Sequence, residues 1–140
     1  IIPTSTGAAR AVGKVLPHLK GKLDGTSMRV PVPVGSVVDL VVNLKKAVTV
    51  ESINQAVEAA AKSKGFKGII EYSTAELVSS DVMKNPHSTV FDSLSTMVIG
   101  ENVAKVIAWY DNEWGYSSRV VDLIKFAHGL KAPRAPKAGA

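Results

Sequence analysis

Cysteine is absent from the 140 residues, and with it go disulfide staples, thiolate metal sites and any cysteine nucleophile supplied by this chain. That absence fits a reducing compartment, so a cytoplasmic protein is expected. Long apolar runs are missing as well. Those present are short, such as Val37 to Val42 with Asp39 inside it, and fall far short of the roughly 20 residues that span a bilayer. The three histidines, His18, His87 and His128, have no carboxylate or second histidine at ligand spacing, and no metal site is expected. There is no glycine-rich dinucleotide fingerprint and no internal repeat. The chain opens at Ile1-Ile2-Pro3 without an initiator Met and without the blocks of a signal peptide, as a piece of a longer protein would.

What is present matches one ordinary domain. A chain of this length buries about 68 to 70% of its unfolded surface, and 46% apolar with 21% charged residues is the balance of a folded protein rather than a disordered one. The formal charge is +5, but Lys131, Arg134 and Lys137 sit in the last ten residues, which hold no acid. The first 130 residues therefore carry 14 basic against 12 acidic side chains. The segment 131–140 is rich in Pro, Ala and Gly and reads as a flexible basic tail. Its charge is too sparse for a nucleic-acid or membrane arm, so neither partner is expected.

Along the chain, Thr4-Ser5-Thr6-Gly7 precedes small and apolar residues (Ala8, Ala9, Ala11, Val12, Val15, Leu16) at three- and four-residue steps, which predicts a helix with a polar cap. Pro17 and the Gly21 to Gly25 segment end it in a turn. Residues 26–34 should be extended, with Pro31 and Pro33 excluding the end of that stretch from a central ladder. Val38, Leu40, Val42 and Leu44 alternate with a mixed set, predicting a strand with one strongly buried face. Thr49 and Glu51 open a second helix with a stripe of Val50, Ile53, Val57 and Ala60. Short extended pieces follow near 68–72, 77–79 and 89–93. A hairpin is expected where Thr96–Ile99 and Val103–Trp109 flank Gly100-Glu101-Asn102. Tyr116, Val120, Leu123, Ile124 and Ala127 share one face of a closing helix. Strands and helices do not alternate regularly, so the fold class is α+β, with a largely antiparallel or mixed sheet and helices on one face.

Three groups of residues can carry chemistry. Thr6 and Gly7 stand at a helix start, where free N–H groups, hydroxyls and a glycine suit a phosphate; a plain helix cap is the alternative. Arg29 lies in an otherwise apolar extended stretch and can bind phosphate through two parallel bonds, or else form a structural ion pair. Residues 109–116, Trp-Tyr-Asp-Asn-Glu-Trp-Gly-Tyr, hold four of the eight aromatics in the chain at a strand-to-helix junction. Asn112 there can donate to and accept from another amide, and Tyr116 offers a flat wall; some of these aromatics simply anchor the last helix. Asp39 is expected to be a hydrogen-bonded structural carboxylate, and Asp111 and Glu113 form no evident acid/base pair.

Several ordered motifs are similar to the glyceraldehyde-3-phosphate dehydrogenase family. They are Ile2-Pro3-Thr4-Ser5-Thr6-Gly7-Ala8-Ala9, Gly13-Lys14-Val15-Leu16-Pro17, the 19–25 segment, Arg29-Val30-Pro31, Ser36-Val37-Val38-Asp39-Leu40, Val78-Ser79-Ser80-Asp81, and above all the 109–117 segment with Arg119-Val120-Val121-Asp122. The resemblance runs from residue 1 to about 130 and covers only the C-terminal portion of that enzyme. It implies a partial catalytic domain over 1–130, followed by the tail. The nucleophilic cysteine, its partner histidine and the Rossmann domain are then expected upstream, and no catalytic residue in this chain. In the family the cysteine attacks the aldehyde, hydride passes to NAD, and inorganic phosphate cleaves the resulting thioester.

By resemblance, Thr6 and Gly7 match the site of the attacking inorganic phosphate and Arg29 the guanidinium that serves the phosphate sites. Asn112 matches the amide that holds the nicotinamide carboxamide, and Tyr116 the aromatic beside that ring. The implied cofactor is NAD, with NADP the alternative. The implied ligands are glyceraldehyde 3-phosphate and inorganic phosphate, in a homotetramer whose contacts this sheet helps to form. Where family members often read Arg-Val-Pro-Thr-x-Asn-Val, this chain has Val32-Pro33-Val34-Gly35 after Arg29-Val30-Pro31. An erythrose-4-phosphate dehydrogenase would share these motifs, and a stand-alone binding or assembly module is the reading from another class.

Overall fold

The computed structural model describes residues 1–129; the proposed basic tail, 131–140, lies outside the described residues. The chain divides into two units, Ile1–Pro33 and one beginning at Val34.

In the first unit, β1 (Ile2–Ser5) pairs antiparallel with β2 (Thr26–Arg29), from Ile2 opposite Arg29 to Ser5 opposite Thr26. The Thr26 hydroxyl also donates to the Thr4 carbonyl at 2.9 Å. Helix α1 (Ala8–Val15) follows β1, and a single 3-10 turn at Pro17–Leu19 folds back beside it. Gly13 permits that return, because a Cβ there would sit 3.0 Å from the Cα of Lys20. β2 stops at Arg29, before Pro31 and Pro33, as expected of residues that cannot donate to a ladder. Two expectations change. Thr4 and Ser5, expected in the polar cap, belong instead to the strand Ile2–Ser5, because β2 lies alongside to pair it. The helix start has Gly7 at the cap position with no side-chain cap, while the Thr6 hydroxyl oxygen accepts the Ala8 N–H at 3.1 Å.

The second unit is a four-stranded mixed sheet in the order β3 (Ser36–Asn43), β6 (Val103–Tyr110), β5 (Thr89–Ile99), β4 (Ile70–Ser73). Only the β4–β5 pair is parallel. Helix α2 (Val50–Lys62) lies along β4 and β5, where Asn54 donates to the Ser93 carbonyl at 3.0 Å and accepts from the Thr96 hydroxyl at 2.8 Å. It begins as the sequence predicts. Thr49 accepts from the Ser52 N–H and the Ser52 hydroxyl oxygen accepts from the Thr49 N–H, a reciprocal capping box. The Glu51 carboxyl is held below its ordinary range, chiefly by a backbone hydrogen bond at its own N–H and then by the Thr49 hydroxyl.

The core sits where β5 crosses β6: Val90, Phe91 and Ala104, with Val82 from the preceding loop, are buried. The Phe91 ring stacks on Tyr72 of β4 with centroids 5.9 Å apart. The predicted hairpin forms around Gly100, whose φ is 62°. The two pieces expected at 89–93 and 96–99 are one strand, its register shifted between Asp92 and Met97. Asp92 holds that irregularity by accepting from the N–H and hydroxyl of Ser95 and from the Trp109 indole. The piece expected near Leu77–Ser79 is instead followed by a 3-10 turn, Ser79–Val82, since Asp81 turns back to accept the Val78 N–H.

One face expected to be buried is largely open. Val38 and Leu40 are 46% and 37% exposed, because β3 is an edge strand and α2 lies over the opposite end of the sheet. Helix α3 (Trp114–Gly129) forms as predicted, but Leu123, Ile124 and Phe126 are exposed along it. Asp39 has the structural role expected of it, pairing with Lys105 of β6 at 2.9 Å. Among the described residues no helix is long and apolar enough to cross a membrane.

Candidate functional site

The end of β6 and the start of α3 are joined by three residues, Asp111, Asn112 and Glu113, and this short turn is built around one carboxylate. Asp111 is 5% exposed. Its Oδ1 accepts the N–H groups of Glu113 and Trp114 at 2.9 and 2.8 Å, and its Oδ2 accepts the N–H of Lys84 at 2.8 Å. A carboxylate at this position satisfies donors that the first turn of a helix leaves free and complements the helix dipole. The Trp114 N–H, followed by those of Lys84 and Glu113, holds the Asp111 carboxyl below its ordinary range against the opposing effect of burial. Gly115 completes the junction. It is buried, and a Cβ there would lie 3.0 Å from the His87 carbonyl oxygen, so glycine lets α3 approach the 87–88 segment more closely than a larger residue would without a local shift.

Asn112, by contrast, is exposed. Its Oδ1 accepts a long 3.4 Å bond from the Ser36 hydroxyl at the start of β3, which leaves most of the amide's capacity unused. It opens on a cleft of about 340 Å³ lined by Ser88, Tyr110, Asp111, Gly115, Tyr116 and Arg119 as well. Tyr116, in the first turn of α3, is 72% exposed. Arg119 braces the far wall: it donates to the Gly68 carbonyl and the Ser88 hydroxyl, and pairs with Asp122 at 2.7 Å. The structure thus brings Asn112 and Tyr116 to one cleft. An amide with free donor and acceptor beside an open aromatic ring can hold a flat ring that carries its own amide.

In the first unit, Thr6 and Gly7 stand at the start of α1. The Thr6 hydroxyl hydrogen is not used by the bond its oxygen accepts, and nothing lies within 4 Å of where a Cβ on Gly7 would be. Open N–H groups at a helix start, a hydroxyl and a bare glycine can accept an anion. Arg29 is exposed, and among the described residues its guanidinium has no hydrogen bond or ion pair. The ribbon register puts it opposite Ile2, at the end of the ladder away from Thr6, about 10 Å along the strand from Thr26. Among the described residues no three His, Asp or Glu side chains cluster as metal ligands.

The chain's residues 1–112 match the family model described as glyceraldehyde 3-phosphate dehydrogenase, C-terminal domain. The chain belongs to this family. It is 60% identical over 124 residues to a glyceraldehyde-3-phosphate dehydrogenase of Mycobacterium avium, a match covering 89% of this chain and 36% of that relative. It is 58% identical over 136 residues to glyceraldehyde-3-phosphate dehydrogenase 2 of Bacillus subtilis (strain 168), covering 96% of this chain and 40% of the relative. With the enzyme of Borreliella burgdorferi it shares 60% identity over 124 residues, 88% of this chain and 37% of the relative. The chain thus spans well under half the length of these relatives. The match to the glyceraldehyde 3-phosphate dehydrogenase C-terminal domain includes Thr6, Gly7, Arg29 and Asn112 and stops short of Tyr116.

Sequence reasoning overlooked two residues that shape this family member's cleft. Asp111 was legible as a helix cap, being an Asp three residues before the first helical residue, but its reach to Lys84 was not. Arg119 gave no sign, since its partners Gly68 and Ser88 are 51 and 31 residues away.

Proposed function

We propose that this chain is part of the catalytic domain of an NAD-dependent, phosphorylating glyceraldehyde-3-phosphate dehydrogenase, with residues 1–130 supplying phosphate binding and cofactor orientation. The observation that carries this reading is the cleft at the head of α3, where Asn112 is exposed with its amide nearly unengaged beside the open ring of Tyr116. These residues fit a nicotinamide. The Asn112 Nδ2 would donate to the carboxamide oxygen and its Oδ1 would accept from the carboxamide nitrogen, while Tyr116 flanks the ring. Fixing the carboxamide fixes which ring face is presented. When bound, the nicotinamide supplies the hydride acceptor.

In the first unit, the start of α1 with Thr6 and Gly7 would hold inorganic phosphate, and Arg29, exposed and unpaired among the described residues, would contact phosphate through its guanidinium. Because the chain contains no cysteine, the thiol step falls to a residue outside it, and the 140 residues alone are expected to show no dehydrogenase activity. The exposed Val37, Val41, Met97 and Ile99 of β3 and β5 support a role for this sheet in subunit contact within a homotetramer.

In the complete dehydrogenase, Asn112→Ala should weaken equilibrium binding of NAD by roughly tenfold to thirtyfold, the loss expected for two amide hydrogen bonds, and slow single-turnover hydride transfer while the protein stays folded. Unchanged NAD affinity and hydride-transfer rate would refute the assignment.

A further inference from the structure

We propose that Asp111 is a positioning residue for Asn112: its carboxylate ties the β6–α3 turn to the backbone of Lys84 and thereby fixes where the Asn112 amide stands toward a nicotinamide carboxamide. The inference rests on the reading of Asn112 given above.

Asn112 is exposed, and its one side-chain bond is the long contact with Ser36, too weak to set the position of the amide by itself. The residues on either side of it are held far more firmly. Asp111 is buried with three N–H donors on its carboxylate, and Glu113 and Trp114 supply two of them, so the carboxylate closes the turn around Asn112 from both sides. The third donor comes from a different part of the chain. Lys84 adopts a left-handed backbone, φ 62°, which no other non-glycine residue among the described residues does. A side chain held in that region stores strain that the surroundings must offset. The offset visible here is the 2.8 Å bond from the Lys84 N–H to Asp111. Asn85, the next residue, donates to Glu71 and accepts from the His87 N–H, so the loop that Asp111 grips is itself pinned to β4 and to the 87–88 segment against which Gly115 packs. Asp111 therefore joins the cleft wall at Ser88 to the turn that displays Asn112, and it touches no reacting atom in doing so.

The test separates capping from the tie. Serine keeps an N-cap oxygen but is too short to reach Lys84 as well, so Asp111→Ser retains the helix start and removes the tie. In the complete dehydrogenase, calorimetry without aldehyde would give dissociation constants for NAD, for its 3-acetylpyridine analogue, which lacks the carboxamide N–H, and for ADP-ribose, which lacks the ring. The unaltered enzyme should prefer NAD to the analogue roughly tenfold, and Asn112→Ala should abolish that preference. Asp111→Ser should cut it at least about threefold with ADP-ribose affinity unchanged, a pattern that general loosening of the fold does not produce. If Asn112→Ala abolishes the preference and Asp111→Ser retains it, the positioning role is overturned while Asn112 keeps its assignment. If Asn112→Ala itself leaves the preference intact, the reading of Asn112 fails and this proposal with it. Should Asp111→Ser not fold, Asp111→Asn serves: it keeps the volume and the two cap bonds but, with its amide oxygen committed to the cap, turns an NH2 toward the Lys84 N–H, and the same outcomes apply.

Discussion

The carboxylate of Asp111 accepts the backbone N–H of Lys84, 27 residues away in sequence, at 2.8 Å, and it does so from a turn whose next residue is the exposed Asn112. A buried group thus organises its exposed neighbour. Because the native carboxyl titrates below the ordinary Asp range, its contribution is complete above the unfolded value of about 3.9 and is lost as pH falls through the depressed native value. Hydrogen exchange should show it: protection of the Lys84, Glu113 and Trp114 amides should drop in that acid window relative to neighbours in β5 and β6. In Asp111→Ala the same amides should be less protected at neutral pH by about 1–2 kcal/mol. Protection that is flat through the acid range would show that the carboxylate does not hold the turn.

Gly35 is the second position where the backbone leaves no freedom. Its φ is 96°, and a Cβ would lie 2.7 Å from the Ser79 carbonyl oxygen. Gly35→Ala therefore combines a disfavoured conformation with a collision against backbone, and should destabilise the protein by about 1–3 kcal/mol. A thermal midpoint that does not move would contradict this.

Arg29 has no partner among the described residues, so replacing it should cost ligand binding rather than stability. In the complete enzyme, Arg29→Leu should raise the KM for glyceraldehyde 3-phosphate and for inorganic phosphate by about tenfold or more, the scale of a lost charge-assisted pair, with the thermal midpoint unchanged. Kinetics identical to the parent for both ligands would remove Arg29 from the phosphate sites.

Much of the local structure was written in adjacent residues. The Thr49 helix start, the Gly100 hairpin, the alternation along β3 and the end of β2 before Pro31 all depend on neighbours within a few positions, and each formed where expected. The motifs at Thr6-Gly7, Arg29 and 109–117 were likewise continuous in sequence, which is why the family could be read before any fold was known.

Other features depended on which element lies beside which. Ile2–Ser5 became a strand because β2 came alongside it. The apolar face of β3 stayed open because β3 took the edge of the sheet, and the apolar residues of α3 stayed open because only its first turns meet the 68–88 segment. Alternation and periodicity show that a side chain seeks cover, but not what supplies it. The Asp111–Lys84 tie and the Arg119 brace were invisible for a related reason: hydrogen-bond partners distant in sequence leave no local pattern. The sequence by itself determined the elements, the family and the residues with chemical potential. Tertiary structure decided that Asn112 and Tyr116 share a cleft and that Ile2–Ser5 pairs with Thr26–Arg29, because both outcomes rest on strand register and long-range packing.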